Sequence, residues 1–87
     1  MNFMEEKMAA NIGFIMGNKQ RERVMQIISS KGKLSAEKIA KFEHIPLAGV
    51  NKVLQELAQR NILSNEEGQW CLTEMGQEIE KEMKKRI

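Results

Sequence analysis

The sequence predicts one small domain that is mainly α-helical and carries a single β-hairpin. Its 87 residues leave room for one hydrophobic core. Apolar residues recur at three- and four-residue spacing in several segments, which is the pattern of helices with one buried face. Two short segments of strand-like pattern flank Glu66, Glu67 and Gly68, a turn that contains glycine. Together these observations predict helices packed around a core with a hairpin near the carboxyl end.

Three helices are predicted ahead of the hairpin. Asn18 is a good N-cap for a helix over 18–30, and Ser35 is a good N-cap for a short helix over 36–42. Pro46 suits the first turn of a third helix over 46–60 and forces a sharp turn before it. The residues expected on the inner faces of the three helices are Val24, Ile27 and Ile28, then Ala36, Ile39, Ala40 and Phe42, then Val50, Val53, Leu54 and Leu57.

The hairpin is predicted from 62–65 and 69–72. Trp70 and Leu72 share one strand face by the two-residue period, and we expect Trp70 in the core. Leu34 either forms a very short strand or fills the core. Thr73 is expected to cap a last helix. The apolar stripe of that helix is Met75, Ile79, Met83 and Ile87.

The segment 1–17 is too apolar for a solvated tail. It contains four of the seven methionines, together with Phe3, Ile12, Phe14 and Ile15. It either adds a helix or strand to the core or covers a partner subunit. We interpret it as a packing or dimerisation segment ahead of a domain over 18–87. Because methionine-rich surfaces adapt to varied partners, a homodimer formed by this segment and the last helix is expected.

Composition and charge argue against several classes of protein. Neither an enzyme nor a metal or other cofactor is predicted, because one histidine and one cysteine make no zinc set and no glycine-rich phosphate loop is present. No apolar run approaches the roughly 20 residues of a membrane span. Glu5 and Glu6 precede any apolar run, so a secretory signal is not indicated, and a lone Cys71 suits a reducing cytoplasm.

The net charge of +2 is unevenly spread. Residues 17–45 hold seven Lys and Arg side chains against three Glu. This excess is compatible with contact to phosphate groups.

Two motifs carry a resemblance to a known family. The first is residues 35–40 (SAEKIA) followed by 45–50 (IPLAGV), and the second is residues 68–76 (GQWCLTEMG). The first is similar to the support helix, turn and recognition helix of winged helix-turn-helix transcriptional regulators of prokaryotes. The second resembles the aromatic-x-Leu-Thr-x-x-Gly signature with which the wing of that family closes and its last helix begins. The resemblance covers roughly residues 18–87.

The resemblance implies sequence-specific binding of double-stranded DNA, with the helix over 46–60 in the major groove. Asparagine and glutamine pair with adenine edges, and lysine reaches guanine or phosphate. The positions that match the groove-reading residues of the family are Leu47, Ala48, Gly49, Asn51, Lys52 and Gln55. Ser35 and Lys38 match phosphate contacts, and Lys33 and Lys41 are added for their charge alone.

Two positions depart from the family pattern. Glu66 and Glu67 occupy the wing tip, where DNA-gripping wings carry arginine or lysine, and phosphate would repel them. Gly49 occupies a position where the family frequently has serine or threonine. A hydroxyl that could contact phosphate is therefore absent. The alternative is therefore a winged-helix module that docks another protein within a larger complex.

Overall fold

The structure is a computed structural model that describes residues 3–86. Within that range it contains five α-helices and one antiparallel two-stranded hairpin, so the fold is mainly helical with a small β element. The elements in chain order are α1 (Phe3–Met16), α2 (Lys19–Lys31), α3 (Ala36–Glu43), α4 (Leu47–Gln59), β1 (Leu63–Glu66), β2 (Gln69–Leu72) and α5 (Glu74–Lys85). Ile87, expected in the last stripe, lies outside the described residues.

Three polar side chains start three of the helices, and all three were expected to do so. Asn18 Oδ1 accepts hydrogen bonds from the backbone N–H groups of Gln20 and Arg21. Ser35 Oγ caps α3, and Thr73 Oγ1 caps α5. Each supplies an acceptor to amides that have no partner within their own helix, which fixes the position of the helix start.

One hydrophobic core receives side chains from every element. Ile12 and Ile15 of α1 are buried in it, so the amino-terminal segment adds a helix to the core. The helix α5 contributes Ile79 and Met83. The residues from the middle of the chain include Val24, Met25, Ile28, Leu34, Ile39, Ile45, Val50, Val53, Leu54, Leu57, Ile62, Leu63 and Trp70.

The hairpin is attached to the helices through a third, single-residue strand. Leu34 exchanges two backbone hydrogen bonds with Trp70, with N···O distances of 2.7 and 3.1 Å. Leu34 is also buried. It therefore both forms a very short strand and fills the core, which were the two interpretations of this residue. Trp70 is only 8% exposed, as expected for a core residue. Glu67 and Gly68 take positive φ angles of 55° and 86° at the turn, which favours glycine at the second position.

The expectation that Phe42 lies on the inner side of α3 is wrong. Its side chain is 48% exposed, and Lys31 Nζ lies 6.0 Å from its ring centroid. The neighbouring Glu43 faces α2, because Arg23 bonds both its carboxylate and its backbone carbonyl. Since successive helical residues are about 100° apart, Phe42 lies about 60° beyond the buried Ile39, on the side away from Ala36. This places it at the edge of the buried face.

Candidate nucleic-acid interface

The outer face of α4 is an exposed strip of small and polar side chains. It is formed by Ala48, Asn51, Lys52, Gln55 and Gln59, which we call the α4 strip. The opposite face is buried in the core through Val50, Val53, Leu54 and Leu57. The division of this helix into an apolar and a polar side is therefore confirmed. Four of the ten predicted DNA contacts lie on this strip.

A sharp turn positions the start of α4. His44 ends α3 in the left-handed region with a φ of 56°, and Pro46 is the N-cap of α4. Among the described residues, no side chain makes a capping hydrogen bond to this end. The first amides of α4 therefore keep their donors and the positive end of the helix dipole at the surface. Leu47, another predicted contact, is exposed there.

Gly49 lies away from the α4 strip, although it was predicted to contact DNA. It is half-buried, and a Cβ at this position would lie 3.3 Å from Ile45 Cγ2 and 3.6 Å from Gln20 Oε1. Its Cα therefore faces the start of α2 and the turn before α4. The absence of a side chain here serves packing between these elements.

An ion pair occupies the same flank of α4 as Gly49, two turns further along the helix. Arg21 on α2 donates two hydrogen bonds to the carboxylate of Glu56, at 3.1 and 3.2 Å. These bonds lower the pKa of Glu56. The partner of Glu56 is 35 residues away, so no local sequence signal indicates this pair. Lys52 is the one charged residue of the α4 strip. Glu56 lies beside the strip, and Arg21 offsets its charge.

The predicted phosphate contacts occupy two places. Lys38 and Lys41 are exposed on the outer side of α3. Ser35 caps the same helix through its hydroxyl, which accepts from the Lys38 amide at 3.2 Å. This region could offer lysines and a helix start to a phosphate group.

Lys33 lies instead beside the hairpin tip. Its Nζ is 2.8 Å from Glu66 Oε1, and this hydrogen bond raises the pKa of Lys33 and lowers the pKa of Glu66. The Cys71 thiol donates to the other oxygen of Glu66 at 3.2 Å. Lys33 therefore offsets part of the acidic charge at the tip, and a phosphate would have to compete with Glu66 for it.

A cluster around Phe14 joins α1 to the carboxyl end of α4. The guanidinium carbons of Arg21 and Arg60 each lie 3.8 Å from the Phe14 ring centroid. Arg60 also donates to Asn11 Oδ1 at 3.1 Å, and Arg21 donates to the Phe14 carbonyl oxygen at 3.0 Å. Cation–π contacts of this kind hold planar groups face to face. The orientation of α4 is therefore tied to α1.

Comparisons with protein families and with curated proteins find no match to this chain. Within residues 3–86, no group of three or more His, Cys, Asp or Glu side chains is arranged to hold a metal ion. None of the described helices has the length and apolar character needed to cross a bilayer.

Proposed function

We propose that this chain is a winged helix-turn-helix protein that binds duplex DNA in a sequence-specific manner and regulates transcription. The observation that carries the proposal is the α4 strip, which presents three amides and one lysine on a helix that the core supports from behind. The hairpin between α4 and α5 corresponds to the wing.

The chemistry of the α4 strip suits the major groove. Asn51 and Gln55 lie one turn apart, and each carries an amide that can bond an adenine edge in bidentate fashion. Ala48 lies about one turn before Asn51 and is small enough to let the helix backbone approach the bases. From Ala48 to Gln59 the helix rises by about 16 Å, which is the length of about five base pairs.

Contacts to the DNA backbone would be few. Lys38, Lys41 and Lys52 are exposed, whereas Lys33 is engaged with Glu66. Each phosphate neutralised contributes about −0.9 to the slope of log affinity against log salt concentration. The DNA affinity of a protein with this charge distribution should therefore depend only weakly on salt concentration. Its non-specific binding to DNA should require low salt.

A homodimer would present a second α4 helix to a second half-site on the same DNA. Phe3 and Met4 at the start of α1 are 73% and 71% exposed, and Met4 continues the face of α1 that carries the half-buried Met8. Covering these side chains with a second copy removes apolar surface from water. We infer that α1 and α5 form this contact, with the two α4 helices about 34 Å apart for successive major grooves.

Fluorescence anisotropy with pooled genomic fragments at low salt tests the proposal. We expect saturable binding that is weakened by Lys52→Ala and by Gln55→Ala. Gln26→Ala is the matched control for Gln55→Ala, because it removes an exposed amide from α2, outside the α4 strip and the proposed dimer helices. Absence of binding, or equal binding by all four proteins, would contradict the assignment of the α4 strip.

The second candidate is a winged-helix module that docks another protein. Two observations favour it: the hairpin tip is acidic, and Phe42 and Leu47 are exposed apolar side chains near the turn before α4. A stoichiometric protein partner recovered from lysate after nuclease treatment, and lost with Phe42→Ala or Leu47→Ala, would support this function over DNA binding.

A further inference from the structure

A groove of about 840 Å³ lies between the carboxyl end of α2, the hairpin and one side of α5. It is on a different part of the molecule from the α4 strip, and the two share no residue. Leu72 gives it an apolar side chain at the surface, and Ile28 lies buried beneath it. The volume is large enough to hold a small molecule.

Glu80 of α5 gives this groove an unusual polar group. The residue is only 8% exposed, and its Oε2 atom has no hydrogen-bond partner within the described chain. Burial raises the pKa of its carboxyl, and the nearby Lys84 lowers it only in part. A buried carboxylate oxygen without a donor is destabilising. This oxygen has almost no accessible surface, so a ligand that brings a hydrogen-bond donor removes the penalty by drawing the carboxylate toward the groove.

Lysines stand around the same groove. Lys81 and Lys84 extend from α5 beside Glu80, and Lys31 lines the groove from the end of α2. Lys33 and Glu66 also line it, but they are paired with each other. Glu80 and Lys84 are four residues apart, so their Cβ atoms are about 5 to 6 Å apart on one face of the helix. One negative and one positive group thus lie within the span of a single small molecule.

We propose that this groove binds a small zwitterion, an amino acid or a dipeptide, whose ammonium bonds Glu80 and whose carboxylate pairs with Lys84 and its neighbouring lysines. A simple cation would satisfy Glu80 but would be repelled by the surrounding lysines. A simple anion would attract the lysines but would leave Glu80 without its donor. The half-buried Leu72 favours an apolar side chain on the ligand.

The test is an NMR titration of the ¹⁵N-labelled full chain, in the absence of DNA. The probes are the twenty free amino acids and the dipeptide Leu-Leu, with 4-methylpentanoate and 3-methylbutylamine as matched compounds that each lack one charged group of leucine. We expect saturable shifts of amides around Ile28, Leu72 and Glu80 with an apolar zwitterion. Each single-charge compound should bind at least about tenfold more weakly than leucine, because each loses one charge-assisted contact.

Variants separate the groove from a general surface effect. Glu80→Gln and Lys84→Met should each weaken the best zwitterion at least about tenfold, because each removes one charged partner. Glu74→Gln and Lys85→Met, on the same helix outside the groove lining, should bind as the unchanged chain does. Three results would overturn the proposal: no saturable shift with any probe, equal binding of 4-methylpentanoate or 3-methylbutylamine and leucine, or a site unaffected by Glu80→Gln. Because DNA is absent, none of these results depends on the proposed DNA binding.

Discussion

Gly76, in the first turn of α5, is the position where one added methyl group should damage the fold most directly. A Cβ there would lie 2.3 Å from the carbonyl oxygen of Ile62. The same oxygen accepts hydrogen bonds from the Thr73 amide and hydroxyl, at 3.0 and 3.1 Å. The obstacle is backbone rather than a flexible side chain, so α5 and the hairpin would have to separate and weaken these bonds.

The size of the effect of Gly76→Ala follows from two opposing contributions. Overpacking costs about 1–3 kcal/mol, and a clash against backbone belongs at the upper end of that range. Alanine favours the helix over glycine by about 1 kcal/mol. We therefore expect a net loss of about 2 kcal/mol in the free energy of unfolding. For a chain of this length that corresponds to a fall of roughly 10 °C in melting temperature.

Gly13→Ala is the matched control for this prediction. Gly13 is exposed within α1, and a Cβ there would meet nothing within 4 Å. Only the higher helix propensity of alanine over glycine then acts, so the free energy of unfolding should rise by about 1 kcal/mol. Urea unfolding followed by far-ultraviolet circular dichroism and by Trp70 fluorescence measures both variants. A neutral or stabilising Gly76→Ala, or a Gly13→Ala that destabilises as much, would refute the reasoning.

Three other predictions concern single side chains. Phe14→Leu should lower the free energy of unfolding by about 1–2 kcal/mol in the same urea assay, because two guanidinium groups lose their ring contact. Glu80→Gln should raise the melting temperature at neutral pH and lose that advantage in acid. The folded-state pKa of Glu80 is raised, so its penalty is absent below the ordinary value of 4.5 and develops as pH rises through the raised pKa. Glu66→Gln should tighten DNA binding in the anisotropy assay, since it removes a negative charge and frees Lys33; unchanged affinity would place the hairpin tip away from DNA.

Local sequence signals predicted most of the secondary structure. Asn18, Ser35 and Thr73 each combine an N-capping side chain with a following apolar period, and each starts a helix within one residue of its predicted position. The hairpin follows from a glycine-containing turn between two short strands. These features depend on residues only a few positions apart, which a sequence shows directly.

The features that the sequence left open depend on distant contacts. The conformation of the first segment could not be decided, because α1 has apolar residues around much of its circumference and no clear period. Phe42 was placed on the wrong side because Ala36 and Ile39 define the buried face of α3, and Phe42 lies at the edge of that face. Of the candidate site, four of the five residues of the α4 strip were predicted, and Gln59 was not. The positions of Gly49 and Lys33 depend on α2 and on the hairpin tip.

The most direct test of the central claim is selection from a randomised duplex library by the full chain and by an Asn51→Ala/Gln55→Ala double variant. If the α4 strip reads bases, the unchanged chain should enrich one sequence motif. The double variant should lose preference at about two base pairs, each by about fivefold or more. Its non-specific binding at low salt should persist, because Lys38, Lys41 and Lys52 remain. No enriched motif, or the same motif selected by both proteins, would contradict the assignment of α4 as the helix that reads DNA.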